Sequence, residues 1–225
     1  MPRVARIVIP DCPHHVTQRG NNRQDVFFVD DDRQTYLGLL KEEAQRYRLA
    51  VEAYCLMTNH VHLIVTPKSE PSLAKALGRA HFRYSQYVNR LHGRSGHLWQ
   101  NRFYSCALDE EHYWAAAAYI EQNPVRARIV RCPWRYPWSS AAVHCRLAED
   151  SMELLDSRRW ATSGNDWKST LAERLGEAAL STLRLNTHRG RPLGSDRFLS
   201  KLEALLGRRL RPLPVGRPRK KQKNR

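Results

Sequence analysis

The sequence predicts an α+β domain that is followed by a helical appendage and a basic tail. Short runs rich in β-branched and aromatic residues alternate with longer stretches of helical spacing, in the order strand, helix, strand pair, helix, strand, helix. The chain has 225 residues, of which 41% are hydrophobic, so it can form one sizeable domain plus an appendage. Five scattered cysteines without a Cys-x-x-Cys pair favour reduced thiols over a disulfide framework or a zinc knuckle.

The first predicted strand covers residues 15–18 and leads into the polar loop of residues 19–23. The glycine of this loop favours a turn, and its amides and guanidiniums suit contacts with phosphates or base edges. A simply solvated loop is the alternative. Three aspartates, residues 30–32, then stand where a helix N-terminus favours acids, and apolar residues at helical spacing continue to residue 48.

Two short apolar runs, residues 51–57 and 61–65, predict a pair of strands. Because alternate side chains of a strand share a face, His60 and His62 are expected to project together. Two adjacent imidazoles form half of a site for a divalent metal. A half-exposed strand can also carry two histidines without any ligand.

The next predicted helix covers residues 72–90, with Ser72 as its cap. Its apolar stripe is suited to packing on a sheet, and its cations, including Arg79 and Arg83, could face DNA. A charged helix face is more often only solvated. Both arginines are therefore candidate DNA contacts, with solvated surface as the alternative.

Residues 97–108 are predicted to form another strand, in which Trp99 and Arg102 contribute aromatic and basic character. This mixture suits single-stranded nucleic acid, because unpaired bases stack on rings while cations hold the backbone. Burial of the rings in a core explains them equally well. Trp99 and Arg102 join Arg19, Asn21 and Arg23 as the predicted DNA contacts of this part of the chain.

A helix that opens with the acids of residues 109–111 is predicted to run to Gln122 and to end at Asn123-Pro124. Tyr119 and Asn123 are four positions apart, so they point the same way on this helix. If the helix crosses the sheet face that bears the two histidines, a phenol and an amide approach one site. A tyrosine used only for packing is the alternative.

The C-terminal third has two predicted helices, residues 166–185 and 195–206, which form either a DNA-reading appendage or a simple cap. We expect a domain of residues 1–146, an appendage of residues 147–207 and a tail of residues 208–225. The tail holds nine Lys or Arg and no acid. Within it, Arg217, Arg219 and Lys220 resemble the minor-groove hooks of chromatin proteins.

Net charge points to a polyanionic partner. The chain carries +16 at pH 7, with a sequence pI near 10.1. No apolar run approaches the length of a membrane span, and the first nine residues lack the apolar core of a secretory signal. We therefore expect a cytoplasmic, nucleoid-associated protein that binds DNA and not a membrane.

Two motifs resemble those of the HUH nucleases. Asn59-His-Val-His-Leu-Ile-Val65 is similar to their His-hydrophobic-His signature, and Tyr119-Ile-Glu-Gln-Asn-Pro-Val-Arg-Ala127 to the nucleophile helix of their single-tyrosine transposase branch. His15-Val-Thr-Gln-Arg-Gly-Asn-Asn-Arg23 and Gly96-His-Leu-Trp-Gln-Asn-Arg-Phe103 extend the resemblance to the REP-associated tyrosine transposases.

The resemblance implies a ferredoxin-like domain with both histidines on a central strand. It also implies that His60, His62 and Asn123 hold Mg²⁺ or Mn²⁺, although many relatives use glutamine at the third position and the ion stays open. Tyr119 would attack a DNA phosphate, leaving a 5′-phosphotyrosine and a free 3′-hydroxyl. The implied substrate is an imperfect palindrome that folds into a hairpin, with a short single-stranded guide beside its stem.

Two other functions compete with this interpretation. The chain could be a repressor or architectural protein that binds DNA on the same fold without cutting it. It could also be a metal-dependent phosphodiesterase that uses water in place of Tyr119. The sequence leaves the choice between monomer and homodimer open.

Overall fold

A four-stranded antiparallel sheet lies at the centre of the computed structural model, which describes residues 6–164, 166–173 and 175–211. The strands are β1 (His14–Arg19), β2 (Leu49–Met57), β3 (His60–Pro67) and β4 (Tyr104–Ala107). Their order is β2-β3-β1-β4, and every neighbouring pair is antiparallel. This is the ferredoxin-like arrangement, so the expected α+β fold with the histidine-bearing strand β3 inside the sheet is confirmed.

The longer helices connect these strands or follow them. The helices are α1 (Asp30–Arg46), α2 (Glu70–Leu91), α3 (Glu110–Glu121), α4 (Asn123–Arg126), α5 (Ala141–His144), α6 (Arg158–Ala161), α7 (Trp167–Ala172), α8 (Glu177–Arg189) and α9 (Asp196–Leu206). Helix α1 links β1 to β2, and α2 links β3 to β4. Within the described ranges, no helix has the length and apolar character needed to cross a membrane.

The two faces of the sheet pack against different helices. On one face Val16, Leu63 and Val65 belong to a buried cluster with residues of α1 and α2. On the other face Ile64 packs with α3 and α8 in a second cluster. Because strand side chains alternate between faces, the register that pairs His15 with Ile64 puts His15 on the α3 side.

The predicted strand over residues 97–108 is wrong in its first half. Only Tyr104–Ala107 pairs with β1, and residues 97–103 form a loop. Trp99 explains the apolar pattern of this loop, because its ring is 8% exposed and its Nε1 donates a hydrogen bond to the His81 carbonyl at 3.2 Å. The loop is therefore held by the buried Trp99 side chain and by an isolated backbone bridge between Gly20 and Trp99, not by a continuous ladder.

Two helix ends also differ from those predicted from the sequence. Helix α2 begins at Glu70 after Ser69, and Ser72, predicted as its cap, instead accepts a hydrogen bond from the Ser69 backbone N–H at 3.1 Å. Asn123 does not leave helical geometry, since it begins α4. Pro124 stands in the first turn of that helix, where its missing N–H removes no helical hydrogen bond.

The C-terminal helices pack against the β4 edge of the sheet. The predicted helix over residues 166–185 is divided into α7 and α8, and α8 packs against both β4 and β1. The Leu193 N–H donates to the Ala107 carbonyl at 2.8 Å, which ties the segment after α8 to the end of β4. The predicted contacts Arg217, Arg219 and Lys220 lie outside the described residues.

Candidate active site

Strands β1 and β3 bring three imidazoles together on the sheet face that α3 covers. The ring centroids of His60 and His62 are 5.0 Å apart, and those of His62 and His15 are 5.2 Å apart with the rings nearly parallel. Strand alternation accounts for the first pair, and the β1–β3 register accounts for the second. His60 and His62 therefore lie on the same face of the sheet, as their spacing predicts.

Hydrogen bonds fix one nitrogen of each ring in the predicted metal pair. His60 Nδ1 lies 2.6 Å from Asn59 Oδ1, and His62 Nδ1 lies 3.0 Å from His15 Nε2. The amide orientation of Asn59 is set by its Nδ2, which donates to the Arg23 carbonyl at 3.1 Å. His60 Nδ1 is consequently the donor, and its Nε2 keeps a lone pair for a ligand.

The hydrogen bonds of His62 lead through His15 to the C-terminal appendage. His15 Nδ1 lies 2.8 Å from Thr187 Oγ1 on α8. When His15 donates to Thr187, its Nε2 accepts from His62 Nδ1, and this leaves His62 Nε2 as a metal donor. Metal-binding histidines commonly use such partners to fix their tautomer and orientation.

Burial keeps these three imidazoles neutral. It lowers the pKa of His15 to about 3, and burial together with the Arg19 charge lowers the pKa of His60 to about 4. The pKa of His62 lies well below its ordinary value, through burial first and then through the neighbouring histidines and arginines. Neutral imidazole is the form that coordinates a metal ion.

Helix α3 carries Tyr119 to the same place. Asp109 caps this helix by accepting from the His112 N–H at 3.0 Å, and the buried small residues Ala116, Ala117 and Ala118 let the helix approach the sheet closely. The Tyr119 ring stands edge-on to the His62 ring, with centroids 5.5 Å apart. Tyr119 therefore lines the same pocket as the imidazoles, at the edge of the apolar cluster beneath α3.

Two guanidiniums flank Tyr119. The Arg126 guanidinium carbon lies 4.4 Å from the centre of the Tyr119 ring, and Arg184 Nε donates to the phenol oxygen at 3.4 Å. Arg126 Nη2 also donates to the Tyr119 carbonyl and to Asn123 Oδ1, each at 2.5 Å. Arg126 thus holds Tyr119 and Asn123 in a fixed relationship.

Asn123 lines the pocket, whereas the neighbouring amide of Gln122 does not. Gln122 Nε2 donates to the Leu171 and Glu173 carbonyls at 3.1 and 2.6 Å, which directs it toward the end of α7. Asn123 Oδ1 accepts from Arg126, and a carbonyl oxygen has a second lone pair for a further partner. Asn123 Nδ2 is buried without a hydrogen-bond partner among the described residues.

These side chains enclose a pocket of about 720 Å³ that is rich in positive charge. Its walls comprise His15, Thr17, Arg19, Arg23, Met57, His60, His62, Gln100, Tyr104, Tyr119, Asn123, Arg126, Ala127, Arg184, Thr187 and His188. Four of these are arginines, and no Asp or Glu is among the described residues that line the pocket. Such a pocket suits an anionic ligand.

The predicted DNA contacts occupy different surfaces. Arg19 and Arg23 line this pocket, and a neighbouring cleft between α2 and the 97–103 loop is lined by residues that include Asn21, Trp99 and Arg102. Arg79 is exposed on α2. Arg83 pairs with Glu42 and Glu43 of α1 at 2.6 and 2.9 Å. Neither α2 arginine lines the pocket or the cleft.

Sequence reasoning did not single out His15, Arg126, Arg184 or Thr187 as site residues. His15 and Arg126 stand inside the motifs that carry the family resemblance, so that signal was present. Arg184 and Thr187 reach the pocket only because α8 packs across β1 and β4. Only the tertiary structure reveals this approach.

The donor set fits a divalent ion in part. No group of three His, Cys, Asp or Glu side chains that could hold a metal occurs within residues 6–164, 166–173 and 175–211. The available donors are the Nε2 atoms of His60 and His62 and the carbonyl of Asn123. A divalent ion held by so few protein ligands would keep open coordination positions.

Comparison with known proteins supplies the family. The family model for IS200-like transposases matches residues 8–123, which is more than half of the 225 residues. A REP-associated tyrosine transposase bound to a REP hairpin is similar in fold, with a TM-score of 0.56 and 17% identity over 78% of this chain and 99% of that chain.

A putative transposase from Deinococcus radiodurans R1 shares 24% identity over 54% of this chain and 97% of its own, with a TM-score of 0.38. No curated protein matches the chain. The match in fold to the REP-associated transposase agrees with the resemblance of the motifs, and the family model covers His60, His62, Tyr119 and Asn123. The chain belongs to the family of IS200-like transposases.

Proposed function

We propose that this transposase cleaves single-stranded DNA by attack of Tyr119 on a phosphate bound beside His60 and His62. The carrying observation is the perpendicular packing of the Tyr119 ring on the His62 ring, 5.5 Å between centroids, in a pocket whose charged walls are all arginines. A nucleophile, imidazole donors and cations thus meet at one place. The non-cleaving repressor and the water-dependent phosphodiesterase do not explain why the phenol lies there.

The arginines bind and orient the phosphate. Arg19, Arg23, Arg126 and Arg184 surround the pocket, and guanidinium groups bind phosphate oxygens through paired, charge-assisted hydrogen bonds. Fixing the phosphate against Tyr119 turns a bimolecular attack into one within a single complex. The same positive charges stabilise the negative charge that grows on the phosphoryl oxygens.

Tyr119 forms the new bond. Its phenol oxygen attacks phosphorus, the bond from phosphorus to the 3′ oxygen breaks, and the products are a 5′-phosphotyrosine and a 3′-hydroxyl. The attacking oxygen gives up its proton, and the departing 3′ oxygen takes one. Arg184 Nε donates to the phenol oxygen at 3.4 Å and the Arg126 guanidinium lies over the ring, so both cations hold Tyr119 in position.

His60, His62 and Asn123 are the residues that would hold Mg²⁺ or Mn²⁺. A divalent ion at this position supplies Lewis-acid withdrawal of charge from a phosphoryl oxygen. His15 and Asn59 keep the two imidazoles in the tautomer that offers Nε2. Imidazole donors favour Mn²⁺ over Mg²⁺, and the small number of protein ligands suits either ion.

The proposed substrate is a hairpin formed by an imperfect palindrome, with unpaired nucleotides beside the stem. Support comes from the similar fold that was solved in complex with a REP hairpin and from the basic cleft lined by Asn21, Trp99 and Arg102 next to the pocket. Such a protein would act in the cytoplasm on the nucleoid.

The test is the formation of a covalent adduct. The full chain is incubated with Mn²⁺ and a labelled oligonucleotide that carries an inverted repeat and its single-stranded flanks. We expect a labelled species that resists denaturation and that Tyr119→Phe does not form. Tyr104→Phe is the matched control, because Tyr104 lines the same pocket.

Two outcomes would overturn the proposal. Salt-sensitive binding of the oligonucleotide without adduct or cleavage would indicate a DNA-binding protein only. Cleavage that persists in Tyr119→Phe but disappears in His60→Ala would indicate a phosphodiesterase that uses water.

A further inference from the structure

A groove lined by arginines lies directly beside the candidate pocket. It has a volume of about 570 Å³. Its walls comprise Arg6, Ile7, Asn101, Arg102, Phe103, Tyr104, Ser105, His188, Arg189, Gly190, Arg191, Arg208, Arg209 and Leu210. Six of these residues are arginines, and none of the described lining residues is an Asp or a Glu. We call this surface the arginine groove.

Four segments of the chain build the arginine groove. They are the segment before β1, the loop before β4 with the start of that strand, and the ends of α8 and of α9. Both helices end at a glycine in left-handed geometry, Gly190 with φ 65° and Gly207 with φ 61°. These turns reverse the chain. Arg189 and Arg191 flank Gly190, and Arg208 and Arg209 follow Gly207.

The walls of the groove are held in place by specific contacts. Arg6 Nη2 donates to the Phe103 carbonyl at 2.9 Å, and its guanidinium carbon lies 3.6 Å from the centre of the Phe103 ring. After α9, Arg211 pairs with Glu203 and with Asp196 and so fixes the segment that carries Arg208. The groove is therefore a formed surface and not a set of freely moving side chains.

So many positive charges close together favour the binding of an anion. Burial, and secondarily the charge of Arg102, lowers the pKa of Arg6 to about 10. Arg191 Nη1 is buried without a hydrogen-bond partner within the described part of the chain. Clustered cations repel one another unless an anionic partner neutralises them, and an unsatisfied buried N–H is costly.

The groove is continuous with the candidate pocket. Tyr104 and His188 line both, and their rings stack with centroids 4.7 Å apart. In the sheet, Thr17 pairs with His62 on one side and with Tyr104 on the other. His62 and Tyr104 are thus two strand spacings apart, about 10 Å. A DNA strand with its reactive phosphate in the pocket would enter the groove within a few nucleotides.

We propose that the arginine groove binds the unpaired DNA segment that continues from the reactive phosphate. The arginines contact its phosphates, and the Tyr104–His188 ring pair offers a surface on which a base stacks. The proposal assigns a DNA-binding role to the ends of α8 and α9. It rests on the proposed cleavage only for the direction in which the DNA strand runs from the reactive phosphate. Arginines that merely complement the negative ends of two helices are the structural alternative.

The test measures binding without chemistry. The full chain with Tyr119→Phe, in EDTA, is titrated against two fluorescent oligonucleotides, a hairpin with unpaired flanks and the same hairpin without them. The test variant adds Arg189→Gln and Arg208→Gln, both exposed in the groove. The matched surface control adds Arg46→Gln and Arg131→Gln, which remove the same charge from exposed positions that line neither the pocket, the cleft nor the groove.

We expect the groove variant to bind the flanked hairpin about tenfold more weakly than its parent at 0.15 M salt. Its slope of log affinity against log salt should fall by about 1.4, since two phosphate contacts with a single strand are lost. Binding of the flankless hairpin and the unfolding midpoint should stay unchanged, and the surface control should behave as the parent.

Two results would overturn the proposal. One is equal loss of affinity in the groove variant and the surface control, which would indicate a general charge effect. The other is equal loss for both oligonucleotides, or a lowered unfolding midpoint with unchanged affinity, which would indicate that the arginines serve the stem or the fold. Because this assay involves no cleavage, it is independent of whether the Tyr119 adduct forms.

Discussion

His15 Nε2 and His62 Nδ1 lie 3.0 Å apart, and the two rings are stacked at an interplanar angle of 5°. The other nitrogen of His15 meets Thr187 Oγ1 at 2.8 Å. A hydroxyl of the C-terminal appendage therefore acts, through His15, on the ring proposed to bind the metal ion. A chain of hydrogen bonds thus links helix α8 of the appendage to His62 on strand β3.

Loss of this contact should weaken metal binding. We expect His15→Phe to reduce Mn²⁺ affinity by about 10- to 100-fold, because His62 would lose the partner that sets its tautomer and orientation. Titration calorimetry without DNA measures this, with thermal unfolding to verify the fold. Thr187→Val should show a smaller loss in the same direction, and Thr187→Ser should keep the wild-type affinity. Unchanged affinity in both His15→Phe and Thr187→Val would contradict the proposed role of His15.

Arg126 should matter more for the rate of attack than for DNA binding. It clamps the Tyr119 carbonyl and Asn123 Oδ1 at 2.5 Å each, so Arg126→Met should slow adduct formation at saturating DNA by at least about tenfold through misplacement of the phenol. Single-turnover kinetics separate this effect from affinity. The control Arg131→Met changes an exposed arginine and should leave the rate unaltered. A pure affinity defect in Arg126→Met would argue against the clamp.

Glu121 is expected to be structural although it neighbours the site in sequence. Its buried carboxylate accepts from Ser140, His144 and Trp167 at 2.5, 2.5 and 2.7 Å, and it thereby ties α3 to α5 and α7. Glu121→Gln should lower the free energy of unfolding by about 2 to 3 kcal/mol, since it weakens charge-assisted bonds at a buried position.

Urea denaturation of Glu121→Gln measures this loss. The same change at the exposed Glu111 should alter the free energy of unfolding by no more than about 0.5 kcal/mol. Equal effects at the two positions would show that the buried network contributes little.

His14 should make the protein less stable in mild acid. Burial lowers its pKa to about 4 from the ordinary value of 6.5, so between these values the unfolded chain binds a proton that the folded chain does not. The contribution of neutral His14 to the free energy of unfolding is fully present above about pH 6.5 and is lost as the pH falls toward 4.

Substitution His14→Gln tests this assignment. It should cut the slope of the free energy of unfolding against pH by about 1.4 kcal/mol per pH unit in that window. The exposed His97, changed to Gln, is the control and should leave the slope as it is. A slope unchanged by His14→Gln would show that other groups carry the acid sensitivity.

The sequence predicted the sheet because its strands obey simple periodicity. Alternation placed His60 and His62 on one face, and helical spacing placed Tyr119 and Asn123 on one side of their helix. The apolar loop around Trp99 was mistaken for a strand, since core anchoring and strand pairing both select aromatic residues. Local patterns cannot separate these two causes.

Local patterns predicted the site only within the His60–His62 and Tyr119–Asn123 segments, and the family resemblance joined these two segments. His15 reaches His62 through strand pairing, and Thr187 and Arg184 reach the pocket through the packing of α8, over separations that no local pattern encodes. The same holds for the arginine groove, whose residues come from opposite ends of the chain. Charge composition predicted an anionic partner but not the surface that receives it.

The most direct measurement is identification of the residue that becomes linked to DNA. The adduct formed with a 5′-labelled hairpin substrate is digested with protease and nuclease, and the peptide that retains a nucleotide is sequenced by mass spectrometry. The account predicts a single phosphotyrosine at Tyr119, with Tyr104 unmodified although it lines the same pocket. A nucleotide on Tyr104 or on any other residue, or cleaved DNA with no modified peptide, would contradict the central claim.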